Sequence, residues 1–221
     1  MLSDFKSIAV ADASGERVKM ALMSGGAVVS EISRDKMAME IFAESLSELC
    51  GGEPGKVEAF ALCIGPGSML STRVGSCILS TISALINAEL FSWDCMQTAA
   101  FALYGGFAGN LNAREKGEFR ILAPSRKGFV NVLDFKGGEV ALQEEVEIGL
   151  AQECGGLAFL LDQRSTVDDR LKGLQRLDLT AKAAALTLLS KPLLAQECKA
   201  VPEPKSLSNR EYVKWKAQAR I

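Results

Sequence analysis

The sequence contains no histidine among its 221 residues. Without an imidazole, the chain cannot form a Ser-His or Cys-His catalytic dyad, and it has no His-x-x-x-His pair for zinc. Carboxylates, lysines, cysteines and backbone donors are the groups that remain for catalysis. Any chemistry that this chain performs therefore depends on those groups.

Closely spaced cysteines are also missing. The six cysteines form no C-x-x-C pair, so their spacing gives no support for metal ligation. We expect no metal and no cofactor. Cys63 and Cys77 lie within apolar runs, which predicts buried thiols. The cysteines are Cys50, Cys63, Cys77, Cys95, Cys154 and Cys198.

Long hydrophobic runs are absent as well. The most apolar stretch, Cys77 to Phe91, is only about 15 residues long and is interrupted by Ser, Thr, Asn and Glu, so it is too short and too polar to span a bilayer. The first residues lack the hydrophobic region of a signal peptide. These features predict a cytoplasmic protein that does not associate with membranes.

The charges nearly cancel, with 25 Lys and Arg against 27 Asp and Glu. Such a total does not favour a nucleic-acid groove, which needs a dense basic patch. The distribution is uneven, because residues 1–110 carry a net charge of −5 and residues 111–221 a net charge of +3. The segment 199–221 carries +4, which indicates either an ordinary solvated tail or a weak accessory contact to RNA or an acidic partner.

Residues 1–105 show strand and helix patterns in the order β-β-β-α-β-α-β-α, which predicts a mixed sheet with helices packed on it and an α/β fold class. Turn-rich residues 106–118 are predicted to be a hinge. The predicted strands are 8–11, 18–23, 27–32, 59–64 and 90–93, and the predicted helices are 35–50, 72–87 and 96–104.

A second run of three strand patterns begins after the hinge and repeats the start of the chain, which indicates a structural duplication. The repetition then weakens, so residues 119–201 are predicted to form a degenerate C-terminal domain. Residues 202–221 are predicted to be an extended tail. The three strand patterns are 119–123, 128–135 and 139–148.

The turn Gly65-Pro66-Gly67-Ser68, between a predicted strand and a predicted helix, is the strongest local feature. Its glycines allow a close backbone approach, and Ser68 can cap the helix. An anion could sit at this helix N-terminus, assisted by Arg73. The favoured alternative is a tight turn that only packs the helix on the sheet, because neither common phosphate-loop pattern is present.

Asp12 follows the first strand, at the point where an actin-like or sugar-kinase-like fold would put its first phosphate loop. Asp12-Ala13-Ser14-Gly15 supplies only part of the glycine and hydroxyl set that such a loop needs. The equivalent turn in the second half has Pro124 where an acid should be, so no magnesium-holding pair is apparent. A small-molecule kinase or ATPase is thus the disfavoured alternative function, and no spaced dyad supports a peptidase.

Both long helices are more apolar than one sheet-facing stripe requires, which predicts that each is buried on two sides. In the second helix, Val74, Ile78, Ile82 and Leu85 are predicted to face the core. Small residues on the other side would let a partner helix approach closely, and the alternative is that the second domain or the tail covers that side. The predicted partner interface consists of Met37, Ile41, Gly75, Leu79, Ser83 and Ile86.

Gly65-Pro66-Gly67-Ser68, followed by Arg73-Val74-Gly75 and a helix rich in Ser and Ala, resembles the GPGSFTGLRIG signature of bacterial TsaB (YeaZ) proteins. The first strand ends in Asp12-Ala13-Ser14, where that family commonly has Asp-Thr-Ser. Ser125-Arg126-Lys127-Gly128 is similar to the family's Asp-Ala-Arg-x-Gly segment, with Pro124 in place of the acid. The resemblance is specific over about residues 7–105, while Met69 to Thr72 depart from the signature.

The resemblance implies a duplicated actin-like (ASKHA, ribonuclease-H-like) fold of two mixed-sheet subdomains that has lost catalysis. It implies a scaffold for TsaD, the subunit that transfers a threonylcarbamoyl group to the tRNA adenosine beside the anticodon. A TsaE-like ATPase would be an accessory partner, tRNA an indirect one, and pairing with TsaD or in a homodimer would use the N-terminal helices. Asp12 and Ser14 would be remnants of a phosphate loop.

Overall fold

The structure, a computed structural model, describes residues 1–109, 113, 115, 117–152 and 156–208. Cys154, residues 110–112, 114 and 116 of the predicted hinge, and the basic segment 209–221 lie outside the described residues.

The described chain folds into two mixed β-sheets with helices between and beside them, which confirms the α/β fold class. The helices are α1 (Ala38–Leu49), α2 (Met69–Ile86), α3 (Cys95–Gly105), α4 (Ile148–Gln152) and α5 (Ala181–Ser190), with 3-10 turns at Leu2–Asp4, Pro54–Lys56, Asp169–Leu171 and Pro192–Leu194. The strands are β1 (Ser7–Asp12), β2 (Val18–Ser24), β3 (Ala27–Arg34), β4 (Ala59–Gly65), β5 (Glu89–Asp94), β6 (Glu118–Pro124), β7 (Phe129–Lys136), β8 (Glu139–Glu147), β9 (Ala158–Leu161), β10 (Gln175–Leu177) and β11 (Gln196–Glu197).

The two sheets repeat one topology. The first has the order β11-β5-β4-β1-β2-β3, and the second has the order β10-β9-β6-β7-β8. In each sheet the first three strands form an antiparallel meander, and two further strands then add in parallel beside the first. Asp12 at the end of β1 therefore corresponds to Pro124 at the end of β6. The predicted duplication is confirmed.

The strand alternation of the first sheet separates two cores. Ala9 and Ala11 face one side and pack with α1 and α2, whereas Ile8 and Val10 face the other side and pack with α3, α5 and the second sheet. The layers therefore run from α1 and α2 through the first sheet, then α3 and α5, to the second sheet.

The second copy is reduced on its outer face. Between β8 and β9 the described helix is the five-residue α4, where the first copy has the 12-residue α1. Between β9 and β10 the described residues form a 3-10 turn at Asp169–Leu171, where the first copy has the 18-residue α2.

The end of the described chain returns to the first sheet. Helix α5 packs on β1, β2 and β3 as well as on α3, and β11 pairs antiparallel with β5. The prediction that residues 119–201 form one C-terminal domain is therefore wrong for its last part. The Ala-rich inner face of α5, which includes Ala183, Ala184 and Ala185, gives the helix a thin buried side that fits between the two sheets.

The buried face of α2 differs in part from the predicted one, because Val74, Ile78 and Ile82 pack against the core only as half-buried side chains. Gly75 and Leu79 are buried against the first sheet and α1, and so is Ser83, whereas Leu85 is 80% exposed. A Cβ at Gly75 would lie 3.0 Å from Phe42 Cε2, so the small residues let α2 approach its own domain closely. Gly75, Leu79 and Ser83 are therefore not partner-facing residues.

The first helix corrects the predicted interface in the same way. Ile41 is buried in the core beneath α1, while Met37 and Met39 are 59% and 62% exposed. Ile86, at the end of α2, is half-buried against the same core. Of the six predicted interface residues, Met37 is the one whose side chain is largely exposed.

Helix α2 is long and apolar enough to cross a membrane, judged by length and composition alone. This helix begins at Met69, eight residues before the apolar stretch Cys77 to Phe91. Its inner face packs on β4 and on α1, which is the position of a core helix in a layered domain.

We predict that Gly75→Leu lowers the free energy of unfolding by about 1–3 kcal/mol, because the added atoms collide with Phe42 and Leu62. Urea denaturation measures this loss. Thr81→Gln, on the exposed side of the same helix, is the control and leaves stability nearly unchanged. A Gly75→Leu protein as stable as the parent would contradict the orientation of α2.

Candidate functional site

In the candidate site, two loops meet at the carboxyl ends of β1 and β4, which are parallel neighbours in the first sheet. The Ser68 backbone N–H donates a 2.6 Å hydrogen bond to Ser14 O. A Cβ at Gly67 would lie 2.2 Å from the same oxygen, so position 67 accepts only glycine. The structure thus brings together the Asp12–Gly15 turn and the Gly65–Ser68 turn.

Gln163, which follows β9 in the second copy, fills the space above these loops. Its Nε2 lies 2.8 Å from Pro66 O, 3.1 Å from Ser14 Oγ and 3.2 Å from Cys95 Sγ. The residue is 7% exposed, and its backbone oxygen is 2.9 Å from the position of a Cβ on Gly15. The second copy thus inserts a side chain where an open phosphate loop would need room.

Asp12 is held inside this closed loop. Its Oδ1 accepts a 2.8 Å hydrogen bond from the Ser14 N–H. The cavity that Asp12 lines has a volume of about 10 Å³, which holds about one water molecule. This arrangement leaves no space for a nucleotide phosphate beside Asp12.

Three contacts from the β1–β2 hairpin tie the first copy to the second. Lys19 Nζ donates to Asp178 Oδ1 at 2.5 Å, and Arg17 donates to Asp162 Oδ2 at 2.7 Å. The Ser165 N–H donates a 2.8 Å hydrogen bond to Glu16, and this bond lowers the pKa of the Glu16 carboxyl below its usual value.

A second tie comes from the residues after β11, which we name the strap (199–208). Lys205 Nζ donates to Asp94 Oδ2 at 2.5 Å and to Gln143 Oε1 at 3.1 Å. Asp94 is nearly buried, and its other oxygen caps α3 by accepting from the N–H groups of Met96 and Gln97. The strap therefore joins β5, α3 and β8, and its residues 201–208 form no helix or strand.

An open cleft of about 1020 Å³ lies between the start of α2 and the β6–β7 turn. Gly67 and Ser68 form part of one wall, Ser125 and Arg126 form part of the other, and the strap borders it. Arg73, which the sequence analysis placed at an anion site, is exposed one turn further along α2 and does not line the cleft.

The described residues contain no group of three or more Cys, Asp or Glu side chains that could hold a metal ion. Burial raises the pKa of the Cys63 thiol well above its usual value and also raises the pKa of Cys95, so both remain protonated near neutral pH. Cys77, which was predicted to be buried, is exposed on α2.

A separate feature is an apolar stripe along α2 that is exposed at its two ends and packs against the core in its middle, which we name the outer stripe. Leu70 and Leu85 at its two ends are 57% and 80% exposed, and the residues between them are half-buried. The side chains follow the spacing of one helix face. The outer stripe consists of Leu70, Val74, Ile78, Ile82 and Leu85.

Sequence reasoning missed Gln163, Arg164, Asp94 and Lys205. The first two follow β9, the duplicate of β4, so the internal repeat was the signal that could have pointed to them. Asp94 precedes a helix at a capping position, which is a recognisable pattern. No local pattern marks Lys205.

No family model and no curated protein matches the chain. Among solved structures, YeaZ from Pseudomonas aeruginosa matches with a TM-score of 0.55 at 13% identity, over 84% of this chain and 90% of that one. The chain has the fold of YeaZ. A protein with similarity to peptidase YEAZ from Pseudomonas aeruginosa matches with a TM-score of 0.53, at the same identity and coverage.

The Aquifex aeolicus PPX-GPPA enzyme matches with a TM-score of 0.43 at 12% identity, over 71% of this chain and 68% of that one, which is too weak a likeness to bear on function. The predicted duplication and the resemblance to TsaB (YeaZ) are confirmed at the level of the fold.

We predict that Gln163→Leu lowers the free energy of unfolding by about 1–3 kcal/mol, because Pro66 O loses a buried hydrogen-bond donor. Chemical denaturation of the two proteins gives the difference. Gln196→Leu, at an exposed position on β11, serves as the control for the same substitution. Equal losses in both variants would argue against a specific role of Gln163.

We predict that iodoacetamide at about pH 8 modifies Cys77 in the folded protein and spares Cys63 and Cys95, because burial and raised pKa values keep those two thiols neutral. Peptide mapping by mass spectrometry identifies the labelled sites. Both buried thiols should react once urea unfolds the chain. Their rapid labelling without urea would contradict the packing of this region.

Proposed function

We propose that the protein is a non-catalytic scaffold subunit of the TsaB type. Its partner would be a TsaD-like subunit that threonylcarbamoylates the tRNA adenosine next to the anticodon. A TsaE-like ATPase would join this assembly, and tRNA would be bound indirectly. The reaction would take place in the cytoplasm. When the TsaD-like partner is absent, we expect a homodimer that uses the surface proposed to contact that partner.

The outer stripe is the observation that carries this proposal. Leu70 and Leu85 expose large apolar side chains on a helix whose opposite face is already buried in its own domain. Such a surface gains free energy when a partner covers it, at roughly 25 cal/mol for each Å² of apolar area removed from water. Met37 and Met39 expose further apolar area at the start of α1.

The closed loop around Asp12 supports the non-catalytic part of the proposal. A kinase or ATPase of the actin-like fold needs space beside the first acidic loop for phosphates. Gln163 occupies that space, and Pro124 stands at the equivalent position in the second copy. The alternative function, a small-molecule kinase or ATPase, would require both Gln163 and the Pro124 turn to rearrange. Tight binding of Mg-ATP, lost in Asp12→Ala, would favour it over the scaffold.

We predict that Leu85→Lys abolishes pairing and leaves the monomer folded, because a charge buried in an apolar contact costs roughly 2 kcal/mol or more. The measurement is size exclusion of the protein mixed with the TsaD of the same cell at micromolar concentration. Leu70→Lys should act in the same way.

The matched control is Leu150→Lys on α4, where a leucine that is 58% exposed lies on the second copy. It should pair as the parent does. If the parent forms neither a complex with TsaD nor a homodimer, the scaffold proposal fails. If Leu85→Lys still pairs, the scaffold can stand but the outer stripe is not its contact surface.

A further inference from the structure

We propose that the cleft between α2 and the β6–β7 turn binds an oligophosphate anion directly through cations, without a divalent metal ion. This site is separate from the closed loop at Asp12 and from the outer stripe. The proposal does not depend on the scaffold function.

The charges that line the cleft are mainly positive. Four cationic side chains border it, Arg126, Lys127, Arg164 and Lys205, and the one carboxylate among the lining residues is Glu145. A cleft with this surplus attracts anions, and its walls restrict screening by salt.

Two of these cations form no salt bridge in the described part of the chain. Arg126 pairs with Glu145 at 3.0 Å, and Lys205 pairs with Asp94 at 2.5 Å. Lys127 is exposed, and Arg164 donates only to the Ser125 carbonyl oxygen, at 3.3 Å. The charge of Lys127 is therefore available to a ligand. Arg164 forms no salt bridge among the described residues but lies near Glu16, whose pKa is lowered mainly by the hydrogen bonds from Ser165 and further by Arg164.

Neutral donors on both walls add to this attraction. Ser68 caps the 18-residue α2, whose first turn has no acidic side chain, so the positive end of the helix dipole opens at the cleft. On the other wall lies Asn131, which is 4% exposed and whose Nδ2 has a single long hydrogen bond of 3.5 Å to Pro124 O. An incoming acceptor could improve on that bond.

The size of the cleft and its lack of a free carboxylate define the ligand class. A volume of about 1020 Å³ is at the upper end of the range for small-molecule sites, roughly 300–1,000 Å³, so it admits more than a single phosphate. Since Glu145 is already held by Arg126 and Ser125, it is not free to position a magnesium ion. Guanidinium and ammonium groups would contact the phosphate oxygens themselves.

The test is calorimetry of the full chain with tripolyphosphate, ATP, adenosine and citrate, each in the presence of EDTA. We expect binding of tripolyphosphate and ATP, and none of adenosine. Equal affinities for the first two would mean that phosphates alone are recognised, whereas tighter ATP would identify a nucleotide. No binding at millimolar tripolyphosphate or ATP, binding that requires Mg²⁺, or equal binding of citrate would overturn the proposal.

Variants locate the site. Lys127→Gln and Arg164→Gln should each weaken tripolyphosphate binding by about fivefold or more, since each removes a charge-assisted hydrogen bond. Lys6→Gln makes the same charge change at the opposite end of β1 and should leave the affinity unchanged. Equal weakening by all three would show non-specific attraction and refute the site. Lys127 is exposed and without a described internal partner, so its variant keeps the test valid if Arg164→Gln fails to fold.

Discussion

The contact of Gln163 with the two loops at the ends of β1 and β4 is the interaction on which the arrangement of the molecule depends. One side-chain nitrogen lies within 3.2 Å of a backbone oxygen, a hydroxyl and a thiol, all contributed by the first copy. Because these acceptors are buried, leaving them unpaired would cost free energy. This contact fixes the relative position of the two copies and at the same time closes the loop that holds Asp12.

The same position on an actin-like duplication is where an enzyme would keep open space. Here the first copy contributes a partial acidic loop, the second contributes Pro124, and Gln163 fills the space beside Asp12. The partly buried ties of Lys19 and Lys205 add further cross-links between the copies. A closed loop at Asp12 suits a protein that presents a surface, whereas enzymes of duplicated design need a junction that can admit and release substrate.

The outer surfaces divide by chemistry. The α2 side is apolar and uncharged along the outer stripe, while the cleft at the start of the same helix carries cations. One helix therefore supplies both an apolar face for a protein contact and a positive end for an anion. The net charge of −2 for the whole chain does not reveal the cations at the cleft, because the acidic first half and the basic second half of the sequence nearly cancel.

Periodicity and turn residues, which are local signals, were enough to predict the order of strands and helices over residues 1–147, the duplication and the tight Gly65–Ser68 turn. The sequence by itself could not decide which face of α2 is buried, since both faces are apolar and only the fit of Gly75 against Phe42 makes the choice. Contacts such as Gln163 with Ser14, 149 residues apart, have no local signature either. They arise only when the two sheets pack together, and they decide that the Asp12 loop is closed.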